Sequence, residues 1–340
     1  MPKISTLLSL ATISLTTAAY ALPEACTGVC TNSHDPSVIR RRDGTYFRFS
    51  TGGKIAVHTA RDLTGPWTYQ GAALPRGSAI SLRGNQDLWA PDISFVDTQY
   101  VLLYSVSTFG SQNSAVGLAT SPSMDTGTWT DAGAVVASTP QSRYNAIDGN
   151  LVSSASGGVD GSGPSYSLVF GSFWDGIFAA PVDVSTGNNS VRVRMRAGAD
   201  AGGQHIQLSF DSSDRAREGG FVFPAAGGQY FLFFSQGSCC GYDRERPSRG
   251  KEYRIMVCRS AAATGGFVDK AGKPCASGGG SVVLESHGWV YGPGGQGVYQ
   301  DPTYGPVLYY HYVDTRVGYA DGQKRFGWNK IDFSSGWPVV

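Results

Sequence analysis

Hydrophobic residues in this chain occur in short runs that are rich in β-branched and aromatic side chains, and Gly, Asp, Asn and Ser separate the runs. This pattern is typical of β-strands joined by turns, and no stretch keeps a helical period of apolar positions for three turns. Five segments repeat one plan, in which a polar or acidic residue precedes a short apolar strand, a Gly-containing turn and an aromatic-rich strand. The segments are HDPSVIRRRDGTYFRFSTG from His34, WAPDISFVDTQYVLLYSVST from Trp89, NAIDGNLV from Asn145 with SYSLVFGSFW after it, REGGFVFPAAGGQYFLFFSQG from Arg217, and GGQGVYQDPTYGPVLYYHYVD from Gly294.

The repeat predicts an all-β fold, a five-bladed β-propeller that forms one domain over residues 22–340. Its leading positions recur about every 55 to 80 residues, against roughly 40–45 for a minimal four-stranded blade, which leaves room for loops. A β-sandwich or a parallel β-helix does not explain the repeated acidic position. Equivalent positions in successive blades form a ring around the central axis, so we expect the carboxylates among them to converge there. The aligned residues are Asp35, Asp92, Asp148, Glu218 and Gln296.

The first 21 residues read as a secretory signal peptide. Lys3 supplies a positive charge, residues 4–15 are apolar or hydroxylic, and Ala19-Tyr20-Ala21 fits the small-x-small cleavage rule. A membrane anchor is disfavoured because Ser and Thr interrupt a run that would need about 20 strongly apolar residues. We therefore expect a secreted, extracellular protein, with one glycosylation sequon at Asn188-Asn189-Ser190.

The charge of the chain limits the classes of partner that it can be expected to bind. With 27 basic and 26 acidic residues and no basic run, the chain offers no electrostatic footprint for nucleic acid and no polybasic patch for a membrane. An uncharged partner such as a neutral polysaccharide is expected.

Six cysteines in an exported chain indicate disulfides, although 15 full pairings are open. The favoured pair is Cys258–Cys275; a Cys26–Cys30 loop and a strained vicinal Cys239–Cys240 bridge are the other candidates.

Several motifs, in order and at compatible spacing, carry a family resemblance. They include HDPSVI, DLWAPDIS, YNAIDGNL, FGSFWDGI, EGGF, SQGSCCGYD, VYGPGGQGV and YYHYVD. From about Cys26 to the C-terminus the chain resembles glycoside hydrolase family 43, and within it the fungal endo-1,5-α-L-arabinanases. The resemblance implies endo-hydrolysis of α-1,5-linked arabinan from plant cell walls, with inversion at the anomeric carbon.

The resemblance also implies a catalytic trio of acids. Asp35 would be the general base, Glu218 the general acid, and Asp148 the residue that orients Glu218 and raises its pKa by like-charge proximity. An inverting enzyme needs its acid and base carboxyls about 6.5–9.5 Å apart, which blades one and four could provide across a central mouth. Asp92 is expected to hold the loop after Trp89 instead.

Sugar binding needs flat apolar surfaces for the C–H faces of furanose rings and polar groups for the hydroxyls. Trp89, Phe109 and Trp174 lie beside the repeat elements and are the aromatic candidates. The polar candidates are His34, Asn145 and Ser172.

His311 is the candidate metal ligand. It aligns with small residues in the other second strands, Ser50, Ser105, Gly171 and Ser235, so its imidazole is expected to project towards the axis. The resemblance implies a calcium or similar ion there, held by one His and otherwise by water. No EF-hand pattern is present, and no organic cofactor is expected.

Competing functions stay open on the sequence. A non-catalytic carbohydrate-binding propeller would keep the aromatic residues but would not need three converging acids. A structural or protein-binding propeller would show neither feature reliably. Among enzymes, the alternative is an exo-acting α-L-arabinofuranosidase or β-xylosidase of the same family, which needs a pocket instead of a groove. A monomer is expected.

Overall fold

The computed structural model describes residues 20–157, 164–187, 190–196 and 205–340. In these ranges the strands form five antiparallel sheets, the blades of a five-bladed β-propeller, which confirms the predicted fold. Blades one and two contain β1 (Ser37–Arg40), β2 (Tyr46–Ser50), β3 (Ala56–Ala60), β4 (Thr68–Ala72), β5 (Leu88–Val96), β6 (Gln99–Val106), β7 (Ser114–Ser121) and β8 (Thr130–Ser138).

The other three blades are less regular. Blade three has a divided outer edge, because β11 pairs with both β12 and β13, and blade five has three strands of its own. The strands are β9 (Asn150–Gly157), β10 (Pro164–Phe170), β11 (Ile177–Gly187), β12 (Ser190–Met195), β13 (Ile206–Ser209), β14 (Arg217–Ala225), β15 (Gln229–Gln236), β16 (Arg254–Ser260), β17 (Ser281–Leu284), β18 (Val290–Asp301), β19 (Gly305–Asp314) and β20 (Arg325–Lys330). Short 3-10 helices occur at Ala226–Gly228, Cys275–Ser277 and Asp321–Gln323.

The core lies between the blades. Five clusters of buried apolar residues fill the five spaces between neighbouring sheets. Successive side chains of a strand point to opposite faces, so Leu102 packs against blade one while Leu103 packs against blade three. Both leucines are fully buried, and each contributes about 1.5–3 kcal/mol relative to an exposed side chain. The long apolar and aromatic runs in the second strands follow from burial on both faces.

The N-terminal segment closes the ring by pairing with the last blade. The N–H of Glu24 donates to the carbonyl of Trp328 at 2.9 Å, the N–H of Phe326 to that of Cys30 at 2.9 Å, and the N–H of Ser33 to that of Lys324 at 3.1 Å. Residues 24–33 therefore cover the free edge of β20. Blade five gains an outer segment, which ties residues 24–33 to the sheet of β18, β19 and β20.

All three candidate disulfides are present: Cys26–Cys30, Cys239–Cys240 and Cys258–Cys275. Cys258 and Cys275 are fully buried. No helix in the described ranges is long and apolar enough to cross a membrane. Most of the predicted signal peptide (residues 1–19) and two residues of the sequon (188 and 189) lie outside the described residues.

Candidate active site

A cavity of about 1430 Å³ is lined by residues from all five blades. It is larger than the roughly 300–1,000 Å³ of a typical small-molecule site. Every site residue predicted from the sequence lines it, so the fold brings together side chains that are far apart in the chain. They are His34, Asp35, Trp89, Phe109, Asn145, Asp148, Ser172, Trp174, Glu218 and His311.

One backbone feature recurs at the inner end of every blade. In each blade, the innermost strand begins its regular pairing with the second strand at a certain residue. The residue two positions before that point has a positive φ. Few residues other than Gly adopt this conformation, although Asp does so more readily than most. Two of the five positions hold carboxylates. The residues and their φ values are Asp35 (41°), Ala90 (44°), Asp148 (59°), Gly219 (64°) and Gly295 (58°).

This register corrects the repeat alignment made from the sequence. The sequence alignment places Asp92, Glu218 and Gln296 with Asp35 and Asp148, but Ala90, Gly219 and Gly295 hold the equivalent positions. A β-bulge separates Trp89 from Asp92 in the pairing with β6, and the extra residue of a bulge shifts any alignment made without gaps. Asp92 does not hold the loop after Trp89. It is buried, and its Oδ2 accepts hydrogen bonds at 3.2 Å from the side chain of Asn150 and the N–H of Leu151 in blade three.

The five positive-φ residues form a ring of hydrogen bonds between blades. Each backbone N–H donates to a side chain of the preceding blade, and in four of the five cases that side chain lies on the second strand or one residue beyond it. Blade three has Gly171 at that position, so the carboxylate of Asp148 accepts in place of the missing side chain. The bonds are Ala90 to Thr51 (2.8 Å), Asp148 to Ser105 (2.9 Å), Gly219 to Asp148 (3.0 Å), Gly295 to Ser235 (2.9 Å) and Asp35 to His311 (3.0 Å). Thr51, and not the aligned Ser50, belongs to this row.

Asp35 is held on one side and open on the other. Its Oδ2 accepts a hydrogen bond from Thr51 Oγ1 at 2.7 Å, and its Oδ1 lies 3.4 Å from His311 Nδ1. The side chain is 30% exposed, so water in the cavity can reach this carboxylate.

Glu218 is held at both oxygens. Ser172 Oγ donates to Oε2 at 2.5 Å, and the hydroxyl of Tyr253 donates to Oε1. Burial raises the pKa of Glu218; the two hydroxyl donors oppose that shift because they favour the charged form, and the charge of Asp35 adds to it. The result is a carboxyl that keeps its proton to higher pH than an exposed glutamate.

Asp148 is coupled to Glu218. Burial raises the pKa of Asp148 well above its ordinary value, the charges of Glu218 and Asp35 raise it further, and only the hydrogen bond from Gly219 opposes the shift. Two carboxyls that interact in this way titrate as a pair. The pair therefore retains a proton in a pH range where isolated carboxyls are both ionised.

Tyr253 is a site residue that the sequence analysis missed. It precedes β16, the third strand of blade four, outside the repeated positions, and no sequence signal distinguishes it from the other 16 tyrosines. Its ring packs 5.9 Å from that of His311. A Cβ on Gly294 would lie 2.1 Å from a Tyr253 ring carbon, so glycine is required there for the tyrosine to reach the cavity.

The predicted sugar-binding residues differ in their exposure and in the hydrogen bonds that they already make within the protein. Phe109 is 87% exposed, as a ring at a cavity rim would be. Asn145 is buried, and its Oδ1 lacks a hydrogen-bond partner in the part of the chain that the structure describes. Ser172 uses its hydroxyl on Glu218, and His34 Nε2 lies 3.1 Å from the carbonyl oxygen of Asp321.

His311 is buried, and its Nε2 has no hydrogen-bond partner among the described residues. Burial and the nearby Lys324 charge hold the pKa of His311 well below its ordinary value, so the ring is neutral. No group of three or more His, Cys, Asp or Glu side chains in the described ranges is arranged to hold a metal. Among the described residues, an ion at His311 would therefore have fewer than three ligands of these types.

The sequence matches the family model described as glycosyl hydrolases family 43 over residues 29–338. It is 55% identical over 344 residues to arabinan endo-1,5-alpha-L-arabinosidase A of Aspergillus aculeatus, with all of both chains covered. Among solved structures, the Bacillus subtilis arabinanase Arb43A is 30% identical with a TM-score of 0.73, covering 92% of this chain and 98% of that one. An exo-1,5-alpha-L-arabinanase from a bovine ruminal metagenomic library is 29% identical with the same TM-score, covering 92% and 98%.

Proposed function

Because the chain belongs to glycosyl hydrolases family 43, we propose that it is an arabinan endo-1,5-α-L-arabinosidase that acts with inversion of the anomeric carbon. The observation that carries the proposal is the meeting of Asp35, Asp148 and Glu218 in one large cavity. The full-length identity to a fungal arabinanase supports the substrate. A binding propeller would not need three carboxyls at such a site, because converging like charges destabilise one another.

In the proposed reaction Asp35 is the general base. Its accessible carboxylate takes a proton from a water molecule, and the resulting nucleophile attacks the anomeric carbon. Thr51 and the backbone hydrogen bond to His311 fix the position of Asp35. No carboxylate attacks the sugar, so the configuration inverts in one displacement.

Glu218 is the general acid in this proposal. It donates its proton to the glycosidic oxygen as the bond to the leaving sugar breaks. A raised pKa is what this role requires, because the acid must be protonated before the reaction. Asp148 accepts a hydrogen bond from the N–H of Gly219, the residue after Glu218 in β14, and so fixes the backbone that carries the acid. The charges of the two carboxyls also interact, which supports the role of a modulator.

Endo action is favoured over exo action by two observations. The cavity volume of about 1430 Å³ accommodates several furanose units, and the curated relative at 55% identity carries the endo name. Fold likeness does not separate the two modes, since the exo-1,5-alpha-L-arabinanase and an endo-arabinanase from Bacillus licheniformis match this fold with similar TM-scores of 0.73 and 0.75.

Product analysis on debranched linear arabinan tests the mode of action. We expect viscosity to fall early, with mixed oligosaccharides appearing before much free arabinose, and small aryl arabinofuranosides to be poor substrates. Proton NMR of the first-formed product should show the inverted anomer. Arabinose as the dominant early product would favour the exo alternative, and clean retention would contradict the role of Asp35.

We extend the proposal to an ion, calcium or similar, with His311 Nε2 as its only protein ligand and water as the remainder. The buried Nε2 without a partner fits such a ligand. Ligation would use the Nε2 lone pair, so the ring proton would move to Nδ1 and the hydrogen bond from the Asp35 N–H to Nδ1 would be lost. Asp35 Oδ1, 3.4 Å from Nδ1, would then face that proton. The ion would supply positive charge beside the carboxylates. Elemental analysis should find metal in the wild type and less in His311→Ala; a metal-free wild type would contradict the extension.

The proposed setting is extracellular, and the proposed assembly is a monomer. The signal-like N-terminus and three disulfides in the fold support secretion, because disulfides persist in oxidising compartments. Sizing chromatography of the secreted protein, with N-terminal sequencing to locate cleavage after Ala21, tests both points.

A further inference from the structure

The vicinal disulfide Cys239–Cys240 lines the cavity and is not used by the mechanism above. Both cysteines are half-buried, so part of the bridge faces the cavity. The other two disulfides do not line this cavity. A bridge between adjacent cysteines closes a loop of one peptide unit, so it holds no distant parts of the chain together.

An ion pair between Lys324 and Asp321 contacts the bridge. Lys324 is fully buried, and its Nζ donates to the carbonyl of Cys239 at 2.6 Å and lies 3.7 Å from Cys240 Sγ. The same Nζ lies 3.3 Å from Asp321 Oδ1, and Asp321 accepts a hydrogen bond from the N–H of Gly241 at 3.1 Å. Burying a charge is costly unless it is paired, so this arrangement fixes the position of the bridge.

The bridge lines the same cavity as the reacting carboxyls, and hydrogen bonds connect it to one of them. The N–H of Tyr253 donates to the carbonyl of Ser238 at 3.0 Å, and the hydroxyl of the same tyrosine donates to Glu218. The bridge is thus linked through Ser238 and Tyr253 to the proposed general acid. The charge of Lys324, whose Nζ contacts the bridge, also lowers the pKa of Glu218.

The surface that the bridge presents has the chemistry of a sugar platform. Two sulfurs and two methylenes carry no strong hydrogen-bond donor, and sulfur is polarizable and packs well against apolar groups. A furanose ring has a C–H face that needs such a surface. We propose that the Cys239–Cys240 bridge packs against a furanose ring of the substrate, at a subsite next to the bond that is cleaved. This inference rests on the proposed function.

The test compares the double variant Cys239→Ser/Cys240→Ser with the wild type and with Cys26→Ser/Cys30→Ser, the matched control whose bridge is outside the cavity. Kinetics on linear α-1,5-linked arabinohexaose are measured with the thermal midpoint of each protein. We expect the Cys239/Cys240 variant to show KM raised about tenfold, the loss typical of one apolar contact in a pocket, with kcat and the control unchanged. An unchanged KM, or an equal rise in the control, would overturn the inference.

If the double variant does not fold, mild phosphine reduction of the Cys26→Ser/Cys30→Ser protein decides the question. The remaining third bridge is fully buried, so the reductant reaches Cys239–Cys240 first. A rise in KM that reverses on reoxidation supports the platform. Thiol counting verifies that the bridge has been reduced, and an unchanged KM in the reduced protein would contradict the platform. A wild type that does not cleave arabinan at all would instead overturn the proposed function.

Discussion

At the scale of single residues, the site depends on how each carboxyl is held. Asp35 has an open face and Glu218 has a donor on each oxygen. The open face lets water reach Asp35, as a base that activates water requires. Burial raises the pKa of Glu218 against the effect of its two donors, as an acid that must be protonated before the reaction requires.

The first prediction concerns the two carboxyls that transfer protons. Asp35→Asn and Glu218→Gln should each lower kcat on linear arabinan by about 10²–10⁴-fold, the usual contribution of general acid–base catalysis. Asp92→Asn is the control, because Asp92 lines the same cavity but is bonded to blade three. Near-normal turnover by Asp35→Asn would show that another group activates the water.

The second prediction concerns Tyr253. Tyr253→Phe removes a donor that stabilises ionised Glu218, so the pKa of Glu218 should rise, and the alkaline limb of the kcat/KM profile should move to higher pH. Tyr69→Phe, at an exposed position of blade one, is the control. A lower kcat with no movement of either limb would indicate a purely structural tyrosine.

The trio could be found from the sequence because two of its members occupy repeated positions and all three lie in specific motifs. Tyr253 and Thr51 could not. Tyr253 lies just before a third strand, and its ring can enter the cavity only because residue 294 of a different blade is glycine. Thr51 lies one residue beyond the aligned Ser50, and only the hydrogen bond to Ala90 identifies it.

At the scale of strands and blades, the bulge on the inner strand decides which side chains face the cavity. It repeats in blades two, four and five, where it also moves Asp92 away from the carboxylate row. A pattern of apolar and polar residues indicates that a strand exists but not where an extra residue is inserted. The number of blades was therefore predictable, and the register at their inner ends was not.

The third prediction concerns Asp92 and the contact between blades two and three. Burial raises the pKa of Asp92 from 3.8 to about 6. Because the unfolded chain releases this proton more readily, Asp92 lowers the free energy of unfolding as pH rises from about 4 to 6, by up to about 3 kcal/mol. Asp92→Asn cannot ionise, so its stability relative to the wild type should increase across that window and level off above it.

Denaturant unfolding of both proteins at several pH values checks this. At pH 4 and below the two should be similar, because the amide oxygen can still accept from Asn150 and Leu151. A stability difference that does not change with pH would show that ionisation of Asp92 is not responsible.

At the scale of the whole molecule, closure of the ring depends on residues 24–33. That segment shows none of the repeated plan, because it is a single outer strand without a hairpin of its own, and the sequence analysis did not identify it as part of blade five. The need for such a segment is visible only in the structure, where blade five has three strands and the edge of β20 would otherwise be unpaired.

The fourth prediction concerns this closure. Removing residues 22–33 eliminates six backbone hydrogen bonds, three to blade five and three to residues 64 and 67, at about 1 kcal/mol each, so Tm should fall by roughly 5–10 °C. Cys26→Ser/Cys30→Ser keeps the segment and removes only its bridge, so it separates the two contributions. Calorimetry that gives the truncated and intact proteins the same Tm would show that blade five is stable with three strands.

The hydrogen bond from Asp35 to His311 has a consequence for the order in which the protein matures. The proposed base lies on the first blade to be synthesised, and the group that accepts its N–H lies on the last. A chain emerging from the ribosome therefore holds an unassembled site until its final blade docks, since N-terminal parts generally fold first. Enzymatic activity would then require that the last blade has been synthesised and docked. A truncated or stalled product would be inactive even if its other blades had folded.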